Sequence, residues 1–227
     1  TEGFLKALRR FDPRIHVPDY STIDRRVNRL HVKLDTEDYG DDLVIAVDAS
    51  GIKVSNRGDW MRRKWRMRRG YLKIHIAVDV KRKRILALEV TDDKVGDERM
   101  LQPLIEEASK KGKIAKTIGD GAYDTKSNFR YLDENGIEPV IKVRRDESRR
   151  AGGCVLRKLV AQEYLRDPEA WKRRHGYGQR WMVESVFSTF KRTFGEYVSA
   201  KTMHNMANEI MLKASLYNLL TGLTVNP

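Results

Sequence analysis

The order in which apolar runs follow one another between residues 43 and 143 restricts the fold more than any other feature of this chain. Leu43 to Asp48, LVIAVD, is short, almost wholly apolar and rich in β-branched residues, which reads as a buried strand. Tyr71 to Asp79, YLKIHIAVD, sets Leu72, Ile74, Ile76 and Val78 against Lys73 and His75, the period of two expected of a strand with one face inward. Arg84 to Thr91, RILALEVT, closes a KRKR turn, near enough for a hairpin. In Asp97 to Lys111 the apolar residues stand at 100, 101, 104, 105 and 108, a helical spacing that Gly112 stops. Ile114 to Gly119 reads as a fourth strand, Lys126 to Glu134 as a second helix ended by Asn135-Gly136, and Pro139 to Val143 as a fifth strand.

Strands joined by short connections pair antiparallel, while strands separated by helices join in parallel through crossovers. The string β β β α β α β is therefore the ribonuclease H-like arrangement, an α/β fold with a mixed five-stranded sheet flanked by helices. Behind it come an Arg- and Gly-rich basic connecting segment, 144–178, and two helices near 179–195 and 203–223. Ahead of it, residues 1–38 are polar and helical in pattern, with a turn at HVPDYS and Ser21 followed three positions on by Asp24, a helix-start signal. The expected organisation is a short N-terminal helical segment, 1–38, and one ribonuclease H-like domain, 39–227. Fold alone names no function.

Composition narrows the field. The 227 residues suffice for one sizeable domain, and 45 Lys and Arg against 32 Asp and Glu give a net charge of +13, which points to a polyanionic partner. With 40% apolar and 34% charged residues the chain is an ordinary folded one rather than a disordered basic tail. Its one cysteine, Cys154, excludes an intramolecular disulfide and a cysteine-rich zinc module, and fits a reducing compartment. Lys213 and several polar residues interrupt the late apolar stretch Met211 to Val225, so no membrane span is expected. Residues 1–20 hold charge throughout and read as no signal peptide; a cytoplasmic, nucleoid-associated protein is expected. The opening Thr1, without an initiator methionine, suggests a trimmed or truncated start.

The charge is concentrated. Arg57 to Arg84 holds twelve basic residues against Asp59 and Asp79, a net +10, and Lys172, Arg173, Arg174 and Arg180 add four more, leaving the rest near neutral. The first stretch interleaves Trp60, Trp65 and Tyr71 with Arg62, Arg63, Lys64, Arg66, Arg68 and Arg69. Guanidinium groups grip phosphates bidentately and indole faces stack on bases, so Arg62, Arg63, Trp65, Arg66, Arg68 and Arg69 are candidate DNA contacts. The plainer alternative is a solvated loop whose tryptophans cover the edge of a core.

Three acids stand out. Asp48 ends the first strand, within an apolar run where a charge is costly unless coordinated or at the rim, and Asp120 follows the fourth. Crossovers bring the C-terminal ends of parallel strands to one edge, so both carboxylates can converge in one crevice. Glu184 lies in a helical stretch where Tyr177, Arg180, Glu184 and Lys191 share an arc about 60° wide, beside an apolar arc of Val183, Val186, Phe187, Phe190 and Phe194. Three oxygen ligands without a histidine or cysteine cluster suit Mg²⁺ or Mn²⁺, and two such ions about 3.5 to 4 Å apart can serve an in-line displacement at phosphorus. Asp79, Asp92, Asp93 and Asp124 are rivals; Asp124 reads instead as the N-cap of the helix after it, and Asp79 as a strand-end residue.

The spacing Tyr177-x2-Arg180-x3-Glu184-x6-Lys191 resembles the Tyr-Arg-Glu-Lys signature of the DDE transposases encoded by prokaryotic insertion sequences. AVDASG around Asp48 and Asp120-Gly-Ala-Tyr123 are similar to the settings of that family's two aspartates, and the resemblance covers about residues 43–220. It implies a nuclease and strand-transferase that cuts at mobile-element ends and joins the 3′-hydroxyl to target DNA, with Asp48, Asp120 and Glu184 holding two Mg²⁺ ions, Mn²⁺ being possible. It further implies that Tyr177, Arg180 and Lys191 contact backbone phosphates, with water and then the DNA 3′-hydroxyl as nucleophile, and that the chain works as a homodimer on DNA. Such enzymes usually carry an N-terminal DNA-binding region, which only residues 1–38 can represent here. The alternatives are a non-transposing nuclease of the same fold and a non-catalytic basic DNA-binding protein.

Overall fold

The five segments read as strands fold as strands, the fifth at Glu138–Ile141 rather than Pro139 to Val143. In a computed structural model, which describes residues 1–34, 39–40, 42–54, 71–144 and 153–225, these are β1 (Leu43–Val54), β2 (Tyr71–Asp79), β3 (Ile85–Thr91), β4 (Ile114–Gly119) and β5 (Glu138–Ile141). They stand in the order β3-β2-β1-β4-β5, with β1, β2 and β3 antiparallel and β4 and β5 joined in parallel to β1. A sixth strand, β6 (Tyr197–Val198), pairs in parallel with Lys53 and Val54 of β1; two residues are too few to show any periodicity.

β1 is twice as long as the apolar run that announces it. The strand does not end at Asp48 but continues through ASGIKV, paired with β2 as far as Lys53 opposite Tyr71. Ile52 and Val54 keep its inward face buried beyond the polar interruption.

The helices are α1 (Glu2–Leu8), α2 (Tyr20–Val27), α3 (Leu101–Ser109), α4 (Lys126–Glu134), α5 (Val155–Arg166), α6 (Pro168–His175), α7 (Trp181–Phe194) and α8 (Met203–Val225). Their starts follow local chemistry. α2 is capped by Asp19, whose carboxylate accepts from the Thr22 N–H, two residues before the expected Ser21. α4 is capped by the Thr125 hydroxyl, which accepts from the Asn128 N–H, so Asp124 is left for another task. α6 opens on Asp167 and Pro168 and closes at Gly176, whose φ of +69° is a left-handed conformation that suits glycine. The 144–178 segment is thus more than a connection. α5 escapes the sequence pattern because its inward face, at 157, 161 and 164, includes an arginine.

The sheet is covered on both faces. On one, Ala46, Ile52, Ile74, Ile76 and Ile118 pack on Val183, Val186, Phe187 and Phe190 of α7 and on Met206 and Ile210 of α8. On the other, Leu43, Ile45, Val47 and Ala77 meet Leu101, Leu104 and Ile105 of α3 and Phe129 and Leu132 of α4. Each of the Val, Leu, Ile, Met and Phe side chains among them contributes roughly 1.5 to 3 kcal/mol on burial. Strand alternation has a consequence for β1: Asp48 and Ser50, in step with Ala46 and Ile52, belong to the α7 face.

Candidate active site

A split in the sheet makes the crevice. The ladder between β1 and β4 ends at Ala46 opposite Ile118, and β6 takes up the same edge of β1 only at Lys53. Among the described residues, the intervening edge of β1 has no strand beside it, and α7 with the helical turn Tyr177–Arg180 lies over it. Continuing the register by two residues sets Asp120 level with Asp48 as β4 leaves the sheet.

Each aspartate is held by the backbone. The Asp48 carboxylate accepts from the Ala49 N–H at 2.8 Å, and Asp120 accepts from the Ala122 N–H at 2.7 Å, capping the turn Gly121–Tyr123. Gly119 allows that turn to close: a Cβ there would stand 3.0 Å from the Tyr123 ring and 3.3 Å from Val47. Glu184 projects from the first turn of α7 and accepts from the Arg180 guanidinium, which also reaches Asp48 at 3.5 Å. Farther along α7, Lys191 Nζ donates to the Ser50 hydroxyl at 2.7 Å, tying the helix to β1 two residues past Asp48. The Tyr177 ring packs 5.7 Å from the ring of buried Trp171.

The electrostatics report convergence. Burial raises the pKa of Asp48 above the usual carboxylate range; the Ala49 N–H and Arg180 oppose this, while the negative charges of Asp120 and Glu184 add to it. Burial also raises the Tyr177 phenol, with Arg180 opposing and Asp120, Tyr164 and Asp48 adding to the rise. For Arg180 burial works downward, but Tyr177, Glu184 and Asp48 together hold it above its ordinary value. Asp48 therefore feels the charges of Asp120, Arg180 and Glu184, while Tyr177 and Arg180 each feel the other and Asp48.

Three carboxylates are a suitable donor set for a hard divalent cation. Their present arrangement is not yet a chelate: among the described residues no group of three His, Cys, Asp or Glu side chains is set to hold a metal ion, and the Glu184 arm is engaged by Arg180. Two rivals have other tasks. Asp79 ends β2 and accepts from Arg82 and from the Lys81 N–H, both at 2.8 Å. Asp124, expected as an N-cap, is instead buried against Arg157.

Sequence reasoning passes over Ser50 and the exposed Trp181, which with Lys172, Arg173, Tyr177 and Gln179 lines an open groove of about 720 Å³ beside the crevice. It also passes over the cluster behind β1. His75, wholly buried opposite Ala49, has its Nε2 2.9 Å from the Thr91 hydroxyl and its Nδ1 3.7 Å from Asp97. Arg62, Arg63, Trp65, Arg66, Arg68 and Arg69 lie outside the described residues, between strands paired up to Lys53 and Tyr71.

The sheet order and the acidic crevice at its split define a ribonuclease H-like domain. A sequence profile of the transposase DDE domain matches residues 39–219, and a second profile of that description matches residues 1–57. The chain belongs to the transposase DDE domain family. Domains of this family work with divalent metal ions. Among solved structures, a chain of the simian T-cell lymphotropic virus intasome in complex with the PP2A regulatory subunit B56 gamma is similar over 66% of this chain and 50% of its own, at 13% identity and a TM-score of 0.33. This chain thus spans half of that one's length. Among the described residues no helix is long and apolar enough to cross a membrane.

Proposed function

We propose that this chain is the catalytic part of a transposase that cuts DNA at the ends of a mobile element of the insertion-sequence type and transfers the freed 3′-hydroxyl into target DNA. The reading rests above all on the crevice at the sheet split, where Asp48 and Asp120 stand level and Glu184 descends from α7. Asp48, Asp120 and Glu184 would hold two Mg²⁺ ions, or Mn²⁺ in their stead. Bound there, divalent ions activate the attacking oxygen and stabilise the leaving one.

The chain's own groups prepare that chemistry. The N–H groups of Ala49 and Ala122 orient the two aspartates before any substrate arrives. Glu184 joins them when Arg180 gives it up, and the released guanidinium is then available to a backbone phosphate. Lys191 offers a second phosphate contact from the same helix and Tyr177 a third from the turn before it. Arg62, Arg63, Trp65, Arg66, Arg68 and Arg69 would extend the grip along the duplex. The partner is DNA, and the working location the nucleoid. A homodimer on DNA belongs to the same reading: α8 exposes Leu212, Leu216, Leu219 and Leu223, spaced four, three and four residues apart, the interval of a two-helix seam.

The test is to incubate purified protein with duplex carrying the element's ends in Mg²⁺ or Mn²⁺, scoring hydrolysis and joining separately. Cutting with joining is expected, with both abolished in Asp48→Ala, Asp120→Ala and Glu184→Ala proteins of unchanged fold. Full activity in a folded Asp120→Ala protein refutes the assignment, and cutting without joining on any ends points to a nuclease that does not transpose.

A further inference from the structure

Behind the turn that carries Asp120 lies a buried ion pair for which the chemistry above has no use. Asp124 is 3% exposed and Arg157, on α5, is 2% exposed. The guanidinium grips the carboxylate with both forks, Nε to Oδ1 at 2.6 Å and Nη2 to Oδ2 at 2.9 Å, and the Arg144 N–H donates to Oδ2 at 3.0 Å. Asp124 is thereby tied to α5 and to the chain leaving β5.

The path from Asp124 back to Asp120 is one tight turn. The Tyr123 N–H donates to the Asp120 carbonyl at 3.2 Å and the Asp124 N–H to the Gly121 carbonyl at 3.3 Å. The turn is seated without slack on one side, where a Cβ on Gly121 would stand 3.3 Å from the Lys142 carbonyl and 3.4 Å from Arg144 Cγ. Beside it lies an open pocket of about 630 Å³, walled by Glu98, Ala122, Thr125, Lys126 and Arg144 with the ion pair. A turn next to that much space needs an anchor, or it can relax away from β1.

Stability alone does not call for an ion pair at this place, because an apolar pair of similar volume is often as stable as two buried charges. A bidentate fork differs in fixing direction and distance together. We propose that Arg157 and Asp124 are positioning residues of the active site: they set the turn so that the Asp120 carboxylate meets a divalent ion beside Asp48. This rests on the reading of Asp120 as a metal ligand.

Mn²⁺ binding to the DNA-free full chain, followed by the decline of the free-ion electron paramagnetic resonance signal, separates the two ideas. Arg157→Lys keeps the charge and removes the fork; it should fold, bind Mn²⁺ about tenfold more weakly, and recover cleavage as Mn²⁺ is raised. Asp124→Asn should behave likewise. If Arg157→Lys does not fold, the double change Asp124→Leu with Arg157→Met keeps the volume without buried charge and should show the same weakening. A folded variant that is less heat-stable yet binds Mn²⁺ as the parent does gives the pair a purely structural role and overturns the proposal. Asp120→Asn tests the underlying reading, since unchanged Mn²⁺ binding and cleavage there sinks the metal site itself, whatever the pair does.

Discussion

Two of the three carboxylates are carried by the sheet and the third by a helix, and the two kinds of mounting differ. Asp48 on β1 and Asp120 just past the end of β4 each accept a backbone N–H, and Asp120 is braced through Asp124 by a buried arginine. Glu184 has a side chain 54% exposed, against 24% for Asp48, and its contact is another side chain, Arg180, rather than backbone. The sheet supplies a fixed half-site, and the helix supplies an arm that completes it. Geometry held by backbone needs little reorganisation at the moment of reaction, whereas a side-chain arm can respond to what arrives.

The comparison breaks first at the acids themselves. Alanine at Asp48 or Asp120 should lower the cleavage rate about a thousandfold or more, the several kcal/mol that one ligand of a catalytic ion is worth. Glu184→Ala should match them if the arm is a full ligand; a fall of only about tenfold, measured by single-turnover cleavage, would reduce Glu184 to an accessory.

The next effect concerns the rigidity of the fixed half. His75 lies on β2 opposite Ala49, and burial lowers its pKa to about 4, Asp97 opposing and Lys73 adding to the fall. In the unfolded chain the ring titrates near 6.5. Between those values the unfolded state binds the extra proton, so this contribution to stability is intact above about pH 6.5 and is lost as pH falls towards 4, by up to about 3 kcal/mol. Urea unfolding of the parent and of His75→Gln between pH 7 and pH 4 should show the shallower decline in the variant; parallel curves would mean that His75 carries none of the acid sensitivity.

The third effect lies outside the crevice. Reversing the charges of Arg62, Arg63 and Arg66 should weaken DNA binding and flatten its dependence on salt by about one unit of slope for each phosphate no longer neutralised. Titrations at a series of salt concentrations that leave both quantities unchanged would confine DNA binding to the α7 side, with Tyr177, Arg180 and Lys191.

Which parts of the molecule are legible in the sequence follows from which patterns are local. β2 and β4 have the limits their apolar runs predict, although β2, read as a strand with one face inward, is covered on both: His75, Ala77 and Asp79 are buried along with Ile74, Ile76 and Val78. The extension of β1 is hidden by its own function: Asp48 and Ser50 interrupt the apolar face, and the alternation resumes only at Ile52 and Val54. α5 is hidden by Arg157, a charge turned inward, and β6 by its brevity. At the site, the spacing of Tyr177, Arg180, Glu184 and Lys191 is readable because one short segment carries all four, the turn Tyr177–Arg180 leading straight into α7. The contacts of Arg180 with Asp48 and of Lys191 with Ser50 are not, since they join residues more than a hundred positions apart.

The smallest effect discriminates best between a fixed and a movable mounting. In the DNA-free chain Arg180 pairs with Glu184 and lies 3.5 Å from Asp48, so it serves as the cation of an acidic crevice. An ion entering that crevice competes with the guanidinium for both carboxylates, and a partly exposed pair of this kind is worth roughly 0.2 to 1 kcal/mol. Arg180→Gln should therefore tighten Mn²⁺ binding to the DNA-free chain by up to about fivefold, and at the same time weaken DNA binding by removing a group that grips phosphate. Opposite signs on the two measurements are what a shared, movable arginine requires. If Arg180→Gln weakens both, the guanidinium instead holds Glu184 in its working position, and the helix-borne acid is as fixed as the two on the sheet.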